Sequence, residues 1–165
     1  MQTLNIVFIL LGGNIEPRLK LMADAKLEIE KEVGDLLMES SIYESEAWGF
    51  KTDTSFFNQV LKVATVKDAN EVLESAMEIE TKLGRLRNEN SEYSSRTMDI
   101  DILYFNSEII DEAELTVPHP RLHLRGFTLM PLVEIAPDFI HPLLEKSNDE
   151  LLQICNDKGN AQRLN

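Results

Sequence analysis

The sequence predicts an α+β fold built on a mostly antiparallel sheet. Two observations carry that reading. Apolar runs of strand length alternate with stretches of helical periodicity, in the order strand, helix, strand, strand, helix, strand. A tail of short helices follows, as in a split βαβ, ferredoxin-like core with flanking helices and long loops. The 165 residues suit one domain over residues 1–165, with 156–165 as a C-terminal tail.

Leu4 to Leu11 is the first strand, apolar on both faces and hence central. It lacks the basic leader and cleavage site of a signal peptide, so it is read as a buried strand. Gly12-Gly13-Asn14 reads as a turn. A helix is expected from about Glu16 to Val33, with Pro17 in its first turn, where a missing N–H does no harm. Met22, Ala25, Ile29 and Val33 recur every three or four residues and mark its buried face.

Leu36 to Tyr43 reads as a second strand and Glu44 to Ser55 as a long loop, a length more often functional than structural. Phe57 to Val66 is a third strand. Asp68-x-x-Glu71 is a capping box that opens a helix to about Leu83, and Gly84 stands where a C-cap glycine belongs. Residues 85–95 form a second long polar loop. Met98 to Phe105 is a strand, which Asn106-Ser107 could turn into a short partner around Ile109. Val117-Pro118-His119-Pro120 breaks regular structure. Gly126 to Ala136 is expected to be a helix bent by Pro131, and Ser147-x-x-Glu150 caps a last helix to about Cys155.

The composition, 43% hydrophobic and 27% charged, belongs to a globular protein, and Cys155 alone provides neither a disulfide nor a Cys-rich metal site. No stretch approaches the roughly 20 apolar residues of a membrane span. The expected location is the cytoplasm. A net charge of −13 argues against nucleic acid or an anionic membrane as partner. The cations are nonetheless unevenly placed. Of the seven arginines, Arg85, Arg87, Arg96, Arg121 and Arg125 fall within one stretch, and no lysine occurs between Lys82 and Lys146. Arginine presents a planar fork suited to phosphate oxygens, so this stretch points to anion recognition.

The strongest local signal is Arg96-Thr97-Met98-Asp99-Ile100-Asp101-Ile102-Leu103. Strand side chains alternate, so Asp99 and Asp101 project from one face, about 7 Å apart at Cα. Such a pair can converge on divalent ions that also bind phosphate oxygens and water, as Mg²⁺ does. The bland alternative is a solvated acidic face, which aspartate's poor strand propensity makes less attractive. Gly84-Arg85-x-Arg87 could grip phosphates from a mobile loop, or could merely place cations at a helix C-terminus. His119, Arg121, His123 and Arg125 lack the partners of a tetrahedral zinc site and suit an anionic ligand better, or a plain surface turn. Trp48, Phe56, Asn58 and Phe127 could enclose a flat heteroaromatic ligand whose edge an amide reads, or could belong to the core.

Together these segments resemble the 6-hydroxymethyl-7,8-dihydropterin pyrophosphokinases, a folate-biosynthesis family, from about Leu4 to Pro142. The residues that carry the resemblance run in the family's order. They are Leu-Gly-Gly-Asn at 11–14, Ser-Ser-Ile-Tyr-Glu-Ser-Glu-Ala-Trp-Gly at 40–49, Phe-Phe-Asn-Gln-Val at 56–60 and Glu-x-x-x-Gly-Arg-x-Arg at 80–87. The Asp-x-Asp segment at 96–103, Leu-Thr-Val-Pro-His-Pro-Arg at 115–121 and Arg-Gly-Phe-x-Leu-x-Pro-Leu-x-Glu-Ile-Ala-Pro at 125–137 complete them.

The resemblance implies a magnesium-dependent transfer of diphosphate from ATP to a pterin hydroxymethyl group, with AMP leaving. Asp99 and Asp101 would hold two Mg²⁺ ions, and Arg85 and Arg96 would act with them in catalysis. Arg85, Arg87, Arg96, His119 and Arg125 would contact ATP, with Glu80 on the nucleoside side. Phe56 and Phe127 would sandwich the pterin ring, Asn58 would read its edge, and the backbone around Ser45 and Trp48 would complete the pocket. The expected partners are ATP and a reduced pterin, with the chain acting as a monomer.

The sequence departs from the family where Trp-Gly-Pro commonly precedes the arginine of the Asp-x-Asp segment, since Tyr93-Ser94-Ser95 stands there. Gly13 replaces a frequent serine, and Met77 stands where a glutamine is common. Two rivals remain open at this point: a nucleotidyltransferase that uses the same two aspartates, and a non-catalytic ferredoxin-like binding module.

Overall fold

The computed structural model describes residues 3–47, 54–84, 97–157 and 161–164. The elements are β1 (Asn5–Gly13), α1 (Arg18–Glu32), β2 (Asp35–Glu39), β3 (Tyr43–Ser45), β4 (Phe56–Thr65), α2 (Ala69–Lys82) and β5 (Asp99–Phe105). They continue as β6 (Ile110–Asp111), β7 (Thr116–Val117), α3 (Gly126–Ile135), α4 (Asn148–Ile154) and β8 (Ala161–Arg163), with a 3-10 turn at Leu122–Leu124.

The main sheet is ordered β5-β1-β4-β3-β8, with β2 also pairing with β4, and every pairing in it is antiparallel. That is the expected ferredoxin-like order, with β1 and β4 at the centre because both are apolar on both faces. Among the described residues no helix is long and apolar enough to cross a membrane.

Three local expectations are corrected. Gly12 and Gly13 extend β1 instead of turning, since both pair with β4, at Asn58 and Phe57. The single strand expected from Leu36 to Tyr43 divides into β2 and β3, because Ser40 and Ser41 break it. The Ser40 hydroxyl accepts from Val60 N at 3.0 Å and donates to Ser41 O at 2.7 Å, so a side chain takes over ladder positions there. The segment after Asn106 does not return to β5. Asn106 turns with a φ of 49°, and Ile110–Asp111 pair with Thr116–Val117 in a separate small sheet.

The first core lies between one sheet face and α1 and α2, where Ile9, Leu11, Met22, Ala25, Ile29, Leu61, Val72 and Ile79 are buried together. Asp68 caps α2 as expected. Its side chain accepts from Glu71 N, and the Glu71 side chain answers from the N-cap amide. At the other end of α2, Gly84 takes a φ of +96°, a conformation few other residues adopt cheaply.

The opposite face is covered by α3 and α4, whose Leu129, Leu132, Leu151 and Cys155 meet Phe8, Leu10, Val60, Leu103 and Tyr104. A register shift opposite Phe8 and Ile9 places both Leu103 and Tyr104 on this second core. It comes just after Asp101, so the aspartates keep strict alternation with buried Ile100 and Ile102. Ser147 and Glu150 form the second expected capping box, at the start of α4. The Tyr104 hydroxyl donates to Asn148 Oδ1 at 2.7 Å and ties α4 to β5.

His141 belongs to this second core and is 3% exposed. Its Nδ1 accepts from Leu143 N at 3.2 Å and Leu144 N at 3.1 Å, which requires a lone pair there and so a neutral ring. Burial, then the nearby His123, push its pKa down to about 4. The unfolded chain therefore takes up a proton below about pH 6.5 that the folded chain refuses. Stability is complete above that pH and falls as pH drops towards 4. This group alone is expected to remove up to about 2 kcal/mol between pH 6.5 and 5. Urea unfolding at pH 7.5 and 5.0 measures the slope, and His141→Gln, which cannot protonate, should flatten it.

Candidate active site

The site is built on the sheet face towards which Asn58 and the two aspartates point, beside the second core. Gly12 stands in register with Asp99 on one side and Asn58 on the other, and Asn58 is in register with Tyr43. Directly opposed residues of antiparallel strands share a face, so these four form one row across β5, β1, β4 and β3. Asp99 and Asn58 are two strand spacings apart, about 10 Å, with a residue that has no side chain between them. The row is a polar-ended slot with an open floor. A Cβ on Gly12 would lie 3.3 Å from Asn58 Oδ1 and 3.8 Å from Phe57 O, so an alanine would intrude on it.

Asn58 is 2% exposed, and its amide is oriented by the protein. Nδ2 donates to Tyr43 O at 3.2 Å and to Ser45 Oγ at 2.8 Å. A backbone carbonyl can only accept, so the nitrogen must face Tyr43 and Oδ1 is turned back towards Gly12. Asn58 thus presents an acceptor to the slot. Phe56 lies on the same face two residues earlier, and Phe127 packs against the second core from the first turn of α3.

At the other end, Asp99 and Asp101 are half-buried on one face of β5, while Ile100 and Ile102 are 5% exposed on the other. Ile100 N, between the two aspartates, donates to Glu80 Oε2 at 2.9 Å, and Glu80 is 4% exposed. Glu80 therefore fixes the strand that bears the carboxylates.

His119 closes over the same strand. Its backbone N–H donates to Leu103 O at 2.9 Å, and its ring Nδ1 accepts from the backbone N–H of Arg121 at 3.1 Å. Burial and the Arg125 guanidinium push the His119 pKa down to about 4, against the opposing pull of Asp99. His119, Arg125 and Asp99 thus share one electrostatic environment. Arg125, at the N-cap of α3, is 8% exposed, and its guanidinium lies 5.5 Å from the Phe127 ring centroid.

The residues suspected near Pro118 separate: His119 and Arg125 lie beside Asp99, whereas the half-buried His123 stacks edge-on to His141 at 6.2 Å. Trp48, Arg85, Arg87, Tyr93 and Arg96 lie outside the described residues.

Residues 8–137 match the family model described as 7,8-dihydro-6-hydroxymethylpterin-pyrophosphokinase. The chain belongs to this family. Its expected fold, enzyme class and place in folate biosynthesis stand with that membership. Among relatives of the 7,8-dihydro-6-hydroxymethylpterin-pyrophosphokinases, an Aquifex aeolicus protein named 2-amino-4-hydroxy-6-hydroxymethyldihydropteridine pyrophosphokinase is 39% identical over 142 residues. That alignment spans 85% of this chain and 86% of the relative. The folic acid synthesis protein FOL1 of Dictyostelium discoideum is 32% identical over 160 residues, 97% of this chain but 24% of that protein.

A Plasmodium falciparum HPPK-DHPS crystal structure with pteroate superposes with a TM-score of 0.76 at 18% identity, covering 99% of this chain and 46% of that one. The fold is therefore shared, and the chain spans less than half of that longer structure.

Two residues make contacts that sequence reasoning did not assign to them. Gly12 read as a turn because its cross-strand neighbours are visible only once the register is known. Glu80 was expected beside the nucleoside, and nothing local signals its bond to Ile100 N.

Proposed function

We infer that the chain transfers diphosphate from ATP to the hydroxymethyl group of 6-hydroxymethyl-7,8-dihydropterin and releases AMP. It would do so as a monomer in the cytoplasm. The observation that carries the reading is the row Asp99–Gly12–Asn58, an acidic end and an amide acceptor on either side of an open floor. A pterin laid over Gly12 would offer its N–H-bearing edge to Asn58 Oδ1 and its hydroxymethyl group to the aspartate end. Phe56 and Phe127 would flank the ring, with Ser45 holding Asn58 and Trp48 completing the wall.

Two half-buried carboxylates on one strand suit an ion that fills its shell with phosphate oxygens and water. Among the described residues no group of three or more His, Cys, Asp or Glu could hold a metal, so a zinc-type cage is not what these residues offer. Asp99 and Asp101 would hold two Mg²⁺ ions, which when bound screen phosphate charge and acidify the hydroxyl.

The hydroxyl oxygen attacks the β-phosphorus and its proton passes to solvent water. The bond from that phosphorus to the oxygen bridging the α- and β-phosphates breaks, and AMP departs with the electron pair. Arg125 and His119 would orient the triphosphate, joined by Arg85, Arg87 and Arg96. Glu80 would keep β5 in place beside the nucleoside. The protein's work is positioning and charge compensation, as in other phosphoryl transfers.

Product analysis with ATP, Mg²⁺ and the reduced pterin tests the reading. AMP and pterin diphosphate in equal amounts are expected. Release of diphosphate instead would identify a nucleotidyltransferase, and no product with neither ligand bound would leave a non-catalytic module.

Gly12→Ala supplies a narrower check. The added methyl crowds Asn58 Oδ1 but suits a strand, so the fold should hold while the pterin KM rises about tenfold and the ATP KM stays put. An unchanged pterin KM would mean that the ring does not lie over Gly12.

A further inference from the structure

Glu134, near the end of α3, lies in the segment 125–137 that resembles the family, yet nothing above gives it work. Its carboxylate gathers donors from beyond its own helix. Ser41 gives its N–H to Oε2 at 2.8 Å and its hydroxyl to Oε1 at 2.7 Å. The Tyr43 hydroxyl donates to Oε2 at 3.3 Å, and Arg163 of β8 stands 3.8 Å from Oε1. The Tyr43 phenol is held above its ordinary pKa by burial and next by this carboxylate. Glu134 is solvent-accessible, so the tie rests on the number of donors that converge on one carboxylate and on their charge-assisted bonds.

What the tie joins gives it meaning. Tyr43 is in register with Asn58, and its carbonyl takes one amide proton of Asn58. Ser45, two residues on, takes the other. On the helix side, α3 begins at Gly126, so Arg125 and Phe127 sit at its start. One carboxylate thus connects the strand that orients Asn58 to the helix that carries Phe127. β3 is only three residues long, so its own ladder gives it little purchase. β8 adds to the clamp, with Arg163 in register with Tyr43.

We propose that Glu134 is a positioning residue for the pterin, setting the separation of the β3 and α3 walls of the slot without touching substrate. The proposal rests on reading Asn58 and Phe127 as the pterin pocket. It weighs on the pterin side more than on ATP, since Asp99, Asp101 and His119 are held by β5 and Glu80 at the other end of the row, and of the ATP contacts among the described residues only Arg125 rides on α3.

The test compares Glu134→Ala, Glu134→Gln and Asn58→Ala by steady-state kinetics with each substrate varied in turn. Glu134→Ala is expected to raise the pterin KM about tenfold, with the ATP KM within about twofold of the parent. Glu134→Gln should restore most of the loss, because its amide oxygen, in the place of Oε2, still accepts from Ser41 N–H and the Tyr43 hydroxyl, and the Ser41 hydroxyl can turn to accept from its nitrogen.

The Ser41→Ala/Tyr43→Phe pair removes two donors while leaving Glu134 in place, and should give the same selective rise even if Glu134→Ala folds poorly. Equal rises in both KM values, or no rise in the pterin KM of either disruption, overturn the proposal. Asn58→Ala separates the two readings. If its pterin KM does not rise, the pocket itself is misplaced. If it rises while both disruptions leave the pterin KM unchanged, only the role of Glu134 falls.

Discussion

Asp101→Asn is expected to cut turnover on the order of 10³-fold or more while the protein stays folded. Asparagine keeps the size of aspartate and can still accept hydrogen bonds, so little in the second core should respond. What it lacks is charge. Asp101 is half-buried and shares its strand face with Asp99, with Leu10 beside it on β1. In that environment a carboxylate is worth more to a divalent ion than it would be in water. The protein is strongly acidic, at −13 overall, and ATP brings further negative charge. On the proposed reading, loss of one carboxylate weakens the pair that would hold the cations that reconcile the two. Single-turnover AMP formation with Mg²⁺ titrated over a wide range measures the effect. The Mg²⁺ requirement should move to higher concentration, and circular dichroism should match the parent. Full turnover at the usual Mg²⁺ level would remove Asp101 from the metal site, and Asp99→Asn should behave alike.

How far such a site can be read from sequence depends on how local its determinants are. Asp99-x-Asp101 is legible because alternation alone puts both carboxylates on one face, and the structure keeps that alternation until the register shift after Asp101. The capping boxes at Asp68 and Ser147 are legible for the same reason: donor and acceptor lie within one turn. The split of β2 from β3 was not, since it depends on Ser40 reaching Val60 N on another strand. β8 is polar, lacks periodicity, and exists as a strand because β3 has an edge to pair with. The contacts of Gly12 and Glu80 were not legible, because a missing side chain and a buried carboxylate acquire meaning only from partners distant in sequence. Fold order survives such misses, since hydrophobic patterning sets it over long stretches. Site geometry does not, because it turns on single cross-strand contacts.

Arg125→Ala should lower kcat/KM for ATP on the order of 10²- to 10³-fold. Arg125 occupies the N-cap of α3, is 8% exposed, and lies close enough to His119 to help push that histidine down to about 4. The imidazole is therefore neutral at physiological pH in the protein alone, and on the proposed reading the arginine is the fixed positive charge of the two beside the triphosphate. Its guanidinium also lies 5.5 Å from the Phe127 ring, which on the proposed reading is where the nucleotide and pterin sides would meet. Lysine would restore the charge but not the planar fork, and an ammonium is more strongly hydrated. Arg125→Lys is accordingly expected to recover no more than about tenfold of the loss. Pterin binding without ATP, followed by fluorescence titration, should weaken far less than kcat/KM for ATP falls, since Asn58 and the aromatic walls remain. If Arg125→Lys recovered full activity, the residue would be acting as a point charge. If Arg125→Ala left kcat/KM for ATP intact, the triphosphate would have to lie along a different line from the aspartates, and His119 would lose its place beside it.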